Sequence, residues 1–112
     1  MPVDAVTRNN GRRDPGAMIV SQLEALSGAR ATVTLNRERP WASITFAGTR
    51  YSLAIVSADG AEPETMQALA QALPNHEFAI PGHFLADILI TEQTDFRLLV
   101  EILSIIDPVD NS

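Results

Sequence analysis

The sequence predicts an α+β fold: a five-stranded, mostly antiparallel sheet with helices on one face, in the order α-β-β-β-α-β-β-α. Three observations lead there. Apolar residues recur at helical spacing behind an Asp-Pro pair at residue 14. Several stretches alternate apolar and polar residues, as half-buried strands do. The links between those stretches are short, which joins neighbours as hairpins.

Asp14-Pro15 reads as an N-cap followed by proline at the first helical position. "AMIVSQLEALSG" then places Ile19, Leu23 and Leu26 on one stripe, with Gly28 as the stop. "ATVTLNR" alternates as a first strand, and "NRERP" is expected to turn the chain. "WASITFA" and "RYSLAIV" flank Gly48-Thr49, which suits a two-residue turn with glycine first. That register pairs Phe46 with Tyr51, Ile44 with Leu53 and Trp41 with Val56. Pro63 starts a second helix, with Met66, Leu69, Ala70 and Leu73 inward and Pro74 ending it. "HEFAI" and "FLADILI" form strands four and five. A third helix is expected over 94–107, stopped by Asp107-Pro108.

The 112 residues make one domain by length, expected over 14–108, with tails at 1–13 and 109–112. There is no cysteine, so disulfides, thiol nucleophiles and thiolate metal sites are excluded. The longest apolar runs fall far short of the about 20 residues that a membrane span needs. "MPVDAVTRNNGRRDPG" lacks the apolar core of a secretory signal. The expectation is a cytoplasmic protein with no membrane partner.

All eight positive residues are arginine, a usage expected of a GC-rich bacterial genome. Seven of them lie in residues 1–50 against four acids, a local charge of +3. Residues 51–112 hold Arg97 against ten acids, a local charge of −9. The net charge of −6 argues against a general nucleic-acid binder. The asymmetry could instead guide self-association.

The two histidines invite a test for chemistry. A two-residue Pro-Gly turn in "FAIPGHFLADILI" would set His76 opposite Asp87. A three-residue loop, Pro81-Gly82-His83, instead gathers Phe78, Ile80, Phe84, Ala86, Ile88 and Ile90 on one face. The hydrophobic pattern favours that loop, with His83 closing it. No metal site is expected from two histidines at this spacing. No serine sits in a nucleophile elbow, and "SADGAEPET" fails the phosphate-loop patterns. Glu77 and Asp87 read as a solvated carboxylate pair. No catalytic residue and no cofactor is expected.

"NRERPW" brings Arg37 and Arg39 beside Trp41, a combination able to contact a ligand or partner. The opening α-β-β-β-α order is similar to that of double-stranded-RNA-binding domains. That family's lysine-rich helix start is absent, and the second helix here begins "EPET", so no nucleic-acid partner is expected.

The strongest interaction signal is "DFRLLVEILSIID". As a helix it carries one stripe of Phe96, Leu99, Val100, Leu103 and Ile106, and a second of Leu98, Ile102 and Ile105. Strand five adds Leu85 and Leu89 on its outer face. These five residues, Leu85, Leu89, Leu98, Ile102 and Ile105, are the expected interface of a homodimer or protein partner. The function expected is a small non-enzymatic protein-interaction module. The order of elements and the acidic pI resemble the small dimeric chaperones of bacterial type III secretion, which hold extended client segments on sheet faces. That resemblance implies a client-binding role. The other alternative is a small-molecule binder or enzyme, with a pocket lined by His76, Tyr51 and Trp41.

Overall fold

The computed structural model describes residues 14–107. The elements run α1 (Pro15–Leu26), β1 (Ala31–Ala42), β2 (Ala47–Ser57), α2 (Glu64–Ala72), a 3-10 turn (Leu73–Asn75), β3 (His83–Gln93) and β4 (Arg97–Ile106). The sheet order is β1-β2-β4-β3, with every neighbouring pair antiparallel. β2 and β3 are therefore parallel to each other and flank β4, a split β-α-β unit with α2 in the crossover.

The α+β class and the antiparallel sheet stand, but the expected count does not. Among the described residues there are four strands and two α-helices, not five strands and three helices. The order of elements on which the likeness to secretion chaperones rested is not the order found. The expected tails, 1–13 and 109–112, lie outside the described residues.

Helix α1 starts as the sequence implies. The Asp14 carboxylate accepts from the Gly16 N–H at 2.9 Å, and Pro15 occupies the first position. The helix ends where Gly28 turns left-handed at φ 66°. Gly16 has a separate reason to be glycine: a Cβ there would lie 3.0 Å from the Tyr51 ring and 3.1 Å from Leu35. The helix start can thus lie close against the sheet.

One core joins both helices to the inner sheet face. Ile19 and Leu23 of α1 and Met66 and Leu69 of α2 meet Val33, Leu53, Ile55, Leu98, Val100 and Ile102. The expected inward residues of the second helix do pack inward, with Met66 of α2 and Leu73 of the following 3-10 turn fully buried.

The segment expected as the third helix is β4. Its apolar residues divide between the two faces of a strand flanked on both sides, cutting across the helical stripes: Leu98, Val100 and Ile102 face the helices, while Leu99, Leu103 and Ile105 face away. A central strand apolar on both faces reads like a helix apolar all round, because a continuous apolar run carries no decisive period.

"HEFAI" is not a strand. Its backbone is held by a side chain instead: the Gln22 amide donates to the Ala79 carbonyl at 2.8 Å and accepts from the Ala79 N–H at 2.9 Å. Pro81-Gly82 is therefore not a hairpin loop. It is a β-turn closed by His83 N–H to the Ile80 carbonyl at 3.0 Å, with Gly82 at φ 78°, leading into β3.

Both real hairpin turns lie elsewhere and share one device. At residues 43–46 the Ser43 hydroxyl accepts from Thr45 and Phe46 N–H at 3.3 and 3.0 Å. At residues 94–97 the Thr94 hydroxyl accepts from Phe96 and Arg97 N–H at 3.2 and 3.0 Å. Neither turn uses glycine, so Gly48-Thr49 lies within β2 and Trp41 pairs with Gly48, not Val56. "NRERP" does not turn the chain. β1 runs through it with a bulge between Leu35 and Arg37, and Pro40 is tolerated because β1 is an edge strand. Gly48 is required where it stands, since a Cβ would run into the Ser104 carbonyl of β4.

Candidate functional site

The outer sheet face, opposite the helices, has no helix packed on it among the described residues, though Leu103 and Ile105 at its centre are buried. Register orders its side chains into rows. The first is Trp41-Gly48-Ile105-Phe84, read across β1, β2, β4 and β3. The next is Arg39-Arg50-Leu103-Asp87, then Arg37-Ser52-Glu101-Leu89 and Thr34-Ala54-Leu99-Glu92. The β1 side is thus basic and the β3 side acidic, with Ile105, Leu103 and Leu99 among the residues between them.

Aromatic groups close one end of this face. Phe46 and Phe84 meet edge-to-face with ring centroids 6.1 Å apart, spanning β4 between them. Ile105 in the same row is only 2% exposed, although it belongs to the side without helices. The two phenylalanines themselves stay exposed, as do Val56 and Leu89. Arg50 and Glu101 form an ion pair at 3.9 Å near the centre. Arg97 pairs with Glu92 at the other end.

The expected site residues separate between the two faces. Leu98 and Ile102 are both 0% exposed in the core of one chain, a consequence of β4 being a central strand. Leu85 packs against that same core. Ile105 lies beneath the aromatic end of the outer face, and Leu89, 50% exposed, stands open on it. Trp41, Arg37 and Arg39 share the outer face of β1. Sequence reasoning missed Phe46, Phe84 and Glu92 as members of this surface. The signal was the Ser43 and Thr94 turn chemistry, which fixes the registers that bring them together.

His76 lies elsewhere, at the end of the 3-10 turn, with its ring edge-on to Phe78 at 4.6 Å. An open cleft of about 540 Å³ is lined by His76, Glu77, His83, Phe84 and Asp87. Tyr51 does not line it. That phenol is buried beside Gly16, and burial raises its pKa above the ordinary 10.0. A hydrogen bond with Thr49 opposes the rise, while the Glu38 and Asp14 carboxylates add to it. Among the described residues no group of three or more histidine or acidic side chains converges as a metal site. No described helix is long and apolar enough to cross a membrane. No protein-family model, no curated protein and no solved structure matches the chain.

Proposed function

We propose that the chain is a small non-enzymatic protein-interaction module that docks a protein on the outer face of its sheet. One observation carries this: both helices cover one face, and the other holds exposed Phe46, Phe84, Val56 and Leu89 among ordered charges. Monomeric proteins rarely leave such a patch without a use. A photoreactive phenylalanine derivative at Leu89, introduced in the native host, tests it. Protein adducts are expected at Leu89 and not at Gln67 on the exposed side of α2. Equal adducts at both positions, or none at Leu89, would overturn the proposal.

A second reading is small-molecule binding in the cleft, favoured by the two histidines and two carboxylates that line it. Histidine chemical shifts recorded during a ligand screen test it; shifts that never move would dismiss it.

A further inference from the structure

We infer that the occupant of the outer face is a second copy of this chain, packed sheet to sheet about a two-fold axis running along the strands. This rests on the docking role proposed above and names its partner.

Only two simple isologous arrangements bring this face onto itself. An axis across the strands lays β1 on the partner's β1. Arg37 and Arg39 would then meet the partner's Arg37 and Arg39. An axis along the strands lays β1 on the partner's β3 and β2 on the partner's β4, and each row keeps its level. Arg39 then faces the partner's Asp87, and Trp41 faces the partner's Phe84. Arg37 lies over the partner's Leu89, where its stem can cover the apolar side chain. Each contact occurs twice.

The spacing allows it. Packed sheets stand about 10 Å apart and are turned by about 30°, within the joint reach of an arginine and a carboxylate. Arg39 and Asp87 form no ion pair with another side chain among the described residues. The area is adequate too. Four strands about 4.8 Å apart and about ten residues long present roughly 600 Å² per copy, or roughly 1,200 Å² in all. That is the lower end of specific interfaces, so a reversible dimer in the micromolar range is expected.

The test is sedimentation of the full chain from 1 to 500 µM, about the range that brackets such an affinity. Arg39→Asp and Asp87→Arg should each raise the dissociation constant at least about tenfold, because each creates two like-charge contacts per dimer. The double variant should return it to within about threefold, since it swaps the charges without changing the pairing. Both side chains are exposed, and circular dichroism checks that the fold persists. A dimer that the double variant does not rescue overturns the axis. A chain monomeric throughout overturns the second copy. In that case Leu89 adducts with a different protein keep the docking role. If instead deletion of residues 1–13 newly exposes Trp41 to quenchers, the chain's own segment covers the face and both proposals fall.

Discussion

Replacing Ile102 with alanine removes three carbons from a side chain that is fully buried between the helices and the sheet. At about 0.8 kcal/mol per methylene, lost transfer alone is about 2.4 kcal/mol. The unfilled cavity adds to it, bringing the expected cost to about 3–4 kcal/mol. Leu89→Ala removes the same number of carbons from a residue half exposed on the outer face, so its cost should be about 1 kcal/mol. Urea unfolding followed by circular dichroism reads both. With a slope of about 1.5 kcal/mol/M, the midpoints should fall by about 2 M and about 0.7 M. Protein concentration separates their origins. The Ile102→Ala cost lies within one fold and should hold from 2 to 100 µM, a range set by about micromolar dimerisation. The Leu89→Ala cost should grow over that range. Equal costs, as an Ile102 facing outward from a third helix would give, would refute the placement of Ile102 in the core.

Tyr51 is the only tyrosine, so its ionisation is read without overlap at long ultraviolet wavelength. Its midpoint should lie above 10.0, chiefly from burial, and Thr49→Val should raise it further; a midpoint at or below 10.0 contradicts this. Because the folded pKa is raised, the associated stability is full below the ordinary value of 10.0 and is lost as pH rises through the raised one. Ser104→Ala should stabilise the chain by about 1 kcal/mol, since the buried hydroxyl lacks a hydrogen-bond partner. A loss of stability in the same urea assay would mean that the hydroxyl is satisfied. Asp14→Ala should cost about 1 kcal/mol through the lost cap on Gly16 N–H. Calorimetry should show a melting point about 4 °C lower, and an unchanged one would dismiss the cap.

What could be read from the sequence depended on how local its cause was. The Asp14-Pro15 cap, the Gly28 stop and the Pro63 start act within a turn of chain, and both helices appeared where they point. The hairpins were misplaced because Gly48-Thr49 and Pro81-Gly82 carry familiar turn chemistry, whereas the turns used depend on the hydroxyls of Ser43 and Thr94. Each misplaced turn shifted a register, and register decides which side chains share a face. The confusion of β4 with a helix has a non-local cause: a strand takes two apolar faces only when neighbours on both sides hold it central. "HEFAI" alternates like a strand, yet Gln22, fifty-seven residues earlier than Ala79, occupies its backbone. Of the surface, Trp41, Arg37, Arg39 and Leu89 were legible as residues. Their assembly with Phe84 and Asp87 required the strand order.

The bulges have a consequence for the ways this protein can go wrong. An open sheet has two free edges, each a template on which further strands can polymerise without end. Here both edge strands break step: β1 between Leu35 and Arg37, and β3 between Leu85 and Asp87 and again between Ile90 and Glu92. An incoming straight strand would lose registry within a few residues of either edge. Pro40 removes a further donor from the β1 edge. Filament growth is obstructed sideways. Under the proposed two-fold, association through the remaining broad surface is used up once two copies meet. A sheet rich in β-branched residues can in this way offer a face to a partner without templating a filament at its edges.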